Sequence, residues 1–213
     1  MSCFEVAGQN KLTKQEIIEK WSVGRENGQK DDSVSFSWDN HLEKRLGDLT
    51  DSLESIGVND LIVYVQSLPG YLSTYSCVKY IYPEYAYLLW QGQGKTHIRK
   101  IVGKCESVAF VSSDSIFTFW SANEGIIRAE KLMPVILGAE KLKDGNIKYS
   151  VNAINHEPQY LLFLKSPSGI MQIRFDENSI TNKEGLFYED NLKSKSVELW
   201  RRIEKTVKAE STL

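Results

Sequence analysis

The chain has 213 residues, enough for one domain with a substantial core, and 41% of them are hydrophobic and 25% charged, as in an ordinary globular protein. Its formal net charge of −2 lacks the strong basic excess that would point to nucleic acid or an anionic membrane as partner. No apolar run approaches the roughly 18 residues that a membrane helix needs.

The N-terminus predicts a short helix followed by a linker. Thr13 and Glu16 have the spacing of a capping box, ahead of an apolar stripe at Ile17, Ile18 and Trp21. The polar stretch 24–33, with two glycines and no periodicity, is typical of a loop. We therefore expect residues 1–33 to be an N-terminal helix and polar linker and 34–213 to be a single α+β domain, or one domain throughout.

A second helix is predicted to start near Ser37 and to end at Gly57, a residue type that often terminates helices. Its apolar residues are spaced four and three apart over about two heptads, which favours a helix packed on its own domain over an exposed dimerisation seam. The apolar positions are Leu42, Leu46, Leu49, Leu53 and Ile56.

Residues 1–58 hold seven Lys and Arg against eleven Asp and Glu. This excess of acidic residues indicates a solvated helix surface or, less simply, an acidic face for a basic partner.

From residue 61 onward, short segments rich in Val, Ile, Tyr and Trp alternate with turn residues, a pattern that predicts hairpins of an antiparallel sheet. Asp114–Asn123 fits either a short helix capped by Ser113 or another strand. Ser166–Gly169 (Ser-Pro-Ser-Gly) predicts a hairpin turn. The predicted strands are Leu61–Val65, Cys77–Tyr82, Tyr85–Gln91, Lys95–Val102, Ser107–Val111, Ile147–Ala153, Tyr160–Lys165 and Ile170–Phe175.

A final helix is predicted over Leu192–Ala209, with Val197, Trp200, Ile203 and Val207 on one face. Strands in the middle and helices at both ends predict an α+β fold. We expect a meander-type antiparallel sheet of about six to eight strands, with the N-terminal and C-terminal helices packed on one face.

The letters Gly94-Lys95-Thr96 match the end of a phosphate-binding loop, but the rest of that motif is missing. The loop requires a glycine at position 89, where this chain has Leu89, and a helix directly after the threonine. The residues from Thr96 to Val102 alternate as a strand does. Gly92–Lys95 therefore predicts a turn between two strands, and no nucleotide or other cofactor is expected.

An aromatic-rich hairpin is the feature most typical of a binding surface. Six aromatic residues fall within sixteen positions, from Tyr75 to Trp90. Phenol groups seek polar partners, so several on one sheet face form a poor dry core, although tyrosines also stabilise half-exposed sheets as cross-strand pairs. A turn at Pro83-Glu84 would bring four tyrosines onto one surface. The predicted binding residues are Tyr80, Tyr82, Tyr85, Tyr87 and Trp90.

Catalytic and metal-binding signals are weak. The three histidines, His41, His97 and His156, lack metal-ligand spacing, and no nucleophile motif occurs, so no metal site is expected. His97 and Arg99 share one face of a strand, and His156 is followed by an acidic residue on a predicted loop. The three together are the candidates for a hydrolytic or phosphodiester-cleaving site.

The three cysteines, Cys3, Cys77 and Cys105, have no disulfide-framework spacing, which favours a reducing compartment and a cytoplasmic protein. Cys3 leaves open a trimmed lipoprotein or secreted form. Tyr- and Trp-rich hairpins flanked by amphipathic helices are typical of small soluble bacterial proteins.

Two functional hypotheses follow. The first is a non-catalytic protein-binding module, of the immunity or inhibitor kind, that binds another protein through the aromatic hairpin. The second is a small hydrolase or nuclease that uses His97, Arg99 and His156. The absence of a catalytic motif favours the first. Nucleic acid is not expected as a partner, because the basic residues near the aromatics are split between two strand faces.

Overall fold

The computed structural model describes residues 12–20, 40–67, 85–102, 105–106, 110–112, 116–151 and 158–210. Within these, the helices are α1 (residues 14–20), α2 (Asn40–Ser55), α3 (Ile116–Ala129), α4 (Asn178–Thr181), α5 (Tyr188–Lys193) and α6 (Lys195–Glu210). The strands are β1 (Leu61–Ser67), β2 (Tyr85–Gly92), β3 (Lys95–Val102), β4 (Cys105–Glu106), β5 (Phe110–Ser112), β6 (Ile136–Lys141), β7 (Ile147–Val151), β8 (Gln159–Ser166) and β9 (Gly169–Asp176).

The main sheet is antiparallel and has the order β4-β3-β2-β1-β8-β9, with β5 paired to β3 on the same edge as β4. Strands β1, β2 and β3 form a meander in sequence order. The β8–β9 hairpin then joins on the free side of β1. The central strand β1 therefore lies between β2, which follows it in sequence, and β8, which comes about 100 residues later. The predicted α+β class with an antiparallel sheet is confirmed.

The two turns predicted from Gly and Pro are confirmed. Gln93 and Gly94 have φ angles of 52° and 71°, the two positive values of a type I′ hairpin turn. β3 follows at once, and Thr96 is 2% exposed within the sheet. The letters Gly-Lys-Thr therefore belong to a hairpin turn and to the start of a strand, with no helix N-terminus to hold a phosphate. Gly169, with φ of 108°, closes the β8–β9 hairpin.

The helix ends follow their sequence signals. The Thr13 N–H donates to Glu16 Oε2 at 2.8 Å and the Glu16 N–H to Thr13 Oγ1 at 3.3 Å, which completes the predicted capping box. Gly57, at φ 87°, ends α2 as expected; its N–H donates to the Glu54 carbonyl and the Val58 N–H to the Leu53 carbonyl, the two hydrogen bonds of a Schellman motif.

The sheet has two buried faces with different partners. The tyrosine face, which carries Ile62, Tyr64 and Leu162, packs against α3 and α6. The tryptophan face, which carries Leu61, Val65, Leu88 and Trp90, packs against Leu46, Leu49 and Leu53 of α2. The expectation that the N-terminal and C-terminal helices share one face is therefore wrong: α2 and α6 cover opposite faces. The α2 seam packs on its own domain, the alternative that the sequence favoured.

A smaller layer lies beside the main sheet. Strands β6 and β7 form a two-stranded sheet, against which Ile17 of α1 is buried with Met133, Ile136 and Phe187. Strand β6 was not predicted. The predicted boundary near residue 33 lies outside the described residues and stays a prediction.

The remaining elements refine the sequence predictions. The undecided segment Asp114–Asn123 is helical from Ile116 onward. The predicted C-terminal helix is two helices, because the chain breaks at Ser194. The Glu130 carboxylate, just after α3, accepts hydrogen bonds from the backbone N–H groups of Lys195 and Ser196 and so caps α6. The predicted strand Cys77–Tyr82 and residues 107–109 lie outside the described residues.

Candidate functional site

The tyrosines of β2 lie on the tyrosine face of the sheet, as strand alternation predicted. Tyr87 is 3% exposed and stacks on Tyr64 of β1 with ring centroids 6.0 Å apart. Tyr85 is half-buried and donates its hydroxyl to Gln66 Oε1. The Lys100 ammonium lies 4.9 Å from the centroid of the Tyr85 ring. Tyr87 thus belongs to the core, and Tyr85 is the member of this pair that reaches solvent.

A buried carboxylate contacts the Tyr64 hydroxyl. Glu204 of α6 is 6% exposed; its Oε1 accepts a hydrogen bond from the Tyr64 hydroxyl and its Oε2 pairs with Lys208. Burial, followed by the negative charge of Glu204, raises the pKa of Tyr64 far above its ordinary value of 10.0. Burial also raises the pKa values of Tyr85 and Tyr160. These phenols stay neutral: Tyr64 and Tyr85 act as hydrogen-bond donors, and Tyr160 packs against Phe175 and Trp200.

The predicted aromatic surface is divided between the two faces. Trp90 lies on the tryptophan face, opposite to Tyr85 and Tyr87. Tyr80 and Tyr82 lie outside the described residues, so their part in a binding surface stays a prediction. Because Tyr87 is buried, its ring does not form part of an exposed surface in this structure.

A row of side chains crosses the tryptophan face from the core to the sheet edge. The registers pair Leu61 with Trp90, Trp90 with His97, and His97 with Val111, so the four side chains lie side by side. Exposure rises along the row: Leu61 is 2% exposed, Trp90 and His97 are half-buried, and Val111 is 47% exposed. We call Trp90, His97 and Val111 the aromatic row.

The histidine of this row is held in place by two contacts. Its ring stacks on Trp90 with centroids 5.4 Å apart and an interplanar angle of 14°. Its Nε2 lies 3.1 Å from the Gly92 carbonyl oxygen. A Cβ at position 92 would lie 2.9 Å from the same nitrogen, so the glycine permits the close approach.

The candidate catalytic set is only partly visible. His97 and Arg99 share the tryptophan face of β3, as predicted, and both are half-buried. His156 lies outside the described residues, so convergence of the three residues stays a prediction. With Nε2 at the Gly92 carbonyl, His97 has only Nδ1 for proton transfer to a substrate, unless that contact breaks.

Sequence reasoning missed a polar cluster at one end of the tyrosine face. Glu124 Oε1 accepts hydrogen bonds from Ser166 Oγ at 2.6 Å and from Arg128 at 2.7 Å, and Arg128 also donates to the Gly169 carbonyl at 2.9 Å. The only local sequence signal was the four-residue spacing of Glu124 and Arg128. Ser166 and Gly169 come from the distant β8–β9 hairpin.

Two carboxyl groups of this region have pKa values shifted in opposite directions. Burial and then the charge of Glu124 raise the pKa of Asp60, while hydrogen bonds from Ser166 and Arg128 lower that of Glu124. Pairs of this kind serve acid–base catalysis in some enzymes. Here Arg128 and Ser166 already occupy the Glu124 carboxylate, so the arrangement fastens the β8–β9 turn to α3.

A cavity of about 300 Å³ lies between residues 132–134, Gln159, residues 174–176 and Ser179. Its polar groups bond to one another: Arg174 donates to Gln159 Oε1 at 2.9 Å, and the backbone N–H of Ser179 donates to Asp176 Oδ1 at 2.8 Å. Across the described ranges, no three His, Cys, Asp or Glu side chains are arranged to hold a metal ion. None of the helices described above has the length and apolar character that a bilayer crossing requires.

Comparison with known proteins gives no further guide to the site. No protein-family model matches the chain, and no curated protein or solved structure is significantly similar to it. Function must therefore be inferred from the residues themselves.

Proposed function

We propose that the protein is a non-catalytic protein-binding module, of the immunity or inhibitor kind, whose contact surface is the aromatic row on the tryptophan face. The observation that carries the proposal is the register that sets Trp90, His97 and Val111 side by side from the core to an exposed edge. This keeps the Trp90 of the predicted binding hairpin and replaces the buried Tyr87 with residues that reach solvent.

The chemistry of the row suits protein recognition. Tryptophan is among the residues most enriched where binding energy concentrates, because it combines a large apolar area with an N–H donor. Val111, 47% exposed, adds an apolar contact on the far side of His97 from Trp90. An enclosed small-molecule site would bury such groups in a concave pocket, whereas a row at a sheet edge suits a flat partner surface.

The rigidity of the row also supports binding. Trp90 and His97 lie on two strands that pair at seven consecutive positions, and their rings stack on each other. Binding therefore orders few additional rotatable bonds, which lowers the entropic cost of association. On the opposite face, Tyr87 stacks on Tyr64 and so joins β2 to β1.

The test compares two valines of equal exposure. Val111 of β5 is 47% exposed and Val151 of β7 is 49% exposed, so Val111→Glu and Val151→Glu add the same charge at matched sites. Each tagged variant, and the wild-type chain, is expressed in the source cells, and co-purifying proteins are quantified by mass spectrometry. Circular dichroism and thermal unfolding confirm that both variants are folded.

We expect one partner to be retained by the wild type and by Val151→Glu. Val111→Glu should recover about 30-fold less of it, the loss that corresponds to a hot-spot contribution of about 2 kcal/mol. Equal recovery by the two variants, or no specific partner for the wild type, would contradict the proposal.

A further inference from the structure

A basic stripe runs along β3 and crosses the aromatic row at His97. Lys95, His97 and Arg99 alternate along the strand and project from the tryptophan face, each about 6.6 Å from the next along the chain. Lys95 is exposed and pairs across the strands with Gly92, which has no side chain to cover it. The stripe therefore begins with an exposed ammonium group at the turn and continues through His97 of the aromatic row to Arg99.

Lys95 forms no ion pair with the other described residues. On the same face, Lys165 of β8 pairs with Glu54 of α2, so this acidic residue of the covering helix is already engaged. A positive group without a counterion at the end of a recognition surface favours a partner of opposite charge.

This inference rests on the proposed function. We propose that the partner presents an acidic segment to this stripe, with a carboxylate opposite Lys95 and apolar side chains of the same segment on Trp90 and Val111. The acidic first 58 residues suggest a basic partner, so the partner charge proposed here has the opposite sign. Charge complementarity sets the orientation of the segment and speeds association, and the aromatic row supplies the apolar contact.

The experiment uses two probe peptides with the same leucine spacing, one with glutamates and one with lysines between the leucines. Each is titrated into the full-length ¹⁵N-labelled protein at physiological salt, and the backbone amide signals are followed by NMR. The variant is Lys95→Glu. Lys205→Glu is the control, because Lys205 is also exposed but lies on α6, which packs on the opposite face.

We expect the glutamate peptide to shift the amides of residues 95–99 and 110–112, and the lysine peptide to leave them unchanged. Lys95→Glu should weaken binding about tenfold and Lys205→Glu should not, and added salt should weaken the wild-type interaction. Equal binding of both peptides, no shifts on β3, or equal effects of the two substitutions would overturn the acidic-partner inference.

The outcome separates this inference from the proposed function. If Val111→Glu abolishes the cellular complex while Lys95→Glu leaves it intact, the surface is right and the acidic chemistry is wrong. If Val111→Glu has no effect on the complex, the proposed function itself fails.

Discussion

Replacing Tyr64 with Phe removes one hydroxyl and leaves the ring packing unchanged. The stacks with Tyr87 and Tyr160, at 6.0 and 6.4 Å between centroids, do not involve the hydroxyl. Glu204, 6% exposed, loses the donor at Oε1 and keeps Lys208 at Oε2. A hydrogen bond to a charged group contributes about 1.5–3 kcal/mol, so with one partner retained we expect Tyr64→Phe to destabilise by about 2 kcal/mol.

Tyr85→Phe is the matched control for this prediction. The Tyr85 hydroxyl donates to the neutral amide oxygen of Gln66 at a half-exposed position, and its loss should cost no more than about 1 kcal/mol. Urea denaturation at neutral pH measures both free energies of unfolding. Equal losses for the two variants, or a Tyr64→Phe protein as stable as the wild type, would refute the inference that the buried Tyr64–Glu204 hydrogen bond stabilises the fold.

Three further predictions concern charge and packing. Burial and Glu124 raise the pKa of Asp60 above 3.8, so the charged form of Asp60 destabilises the fold. Asp60→Asn should therefore raise the free energy of unfolding at neutral pH. Urea denaturation at a series of pH values should show that this gain vanishes below pH 3.8. The pKa values of Tyr64, Tyr85 and Tyr160 are raised above 10.0, so the contribution of these phenols to stability is complete below pH 10 and is lost above it. The free energy of unfolding of the wild type should therefore fall from about pH 10 upward, and that of Tyr160→Phe should fall less steeply. A free energy that does not change with pH would be inconsistent with this. Gly92→Ala places a Cβ 2.9 Å from His97 Nε2, so it should lower the free energy of unfolding by about 1–2 kcal/mol and shift the ring NMR signals of Trp90 and His97. The control is Gly138→Ala, which has open space around it and should leave those signals in place.

Local signals in the sequence predicted local structure well. The capping box at Thr13, the Gly-Gln-Gly turn and the apolar face of α6 are each encoded within a few neighbouring residues, and the structure confirms all three. Alternation along β2 also placed Tyr85 and Tyr87 on one face. Strand β6 was missed because the register shift between Ile136 and Gly138 breaks the alternation of side chains along β6.

The site depended on information that local patterns do not contain. An amphipathic helix shows that it has a buried face but does not specify which side of a sheet it covers, so α2 was assigned to the wrong side. The aromatic row requires the register of β5 against β3, and the Asp60–Glu124 interaction joins segments that are 64 positions apart. Such non-local pairings are decided by the packing of the whole core.

Amide hydrogen exchange on the complex with the captured partner tests the central claim most directly. If the aromatic row is the contact surface, the amides of β3 and β5 should exchange more slowly in the complex than in the free protein, while those of β7 around Val151 should not change. A complex that forms and leaves the exchange of β3 and β5 unaltered would contradict the account.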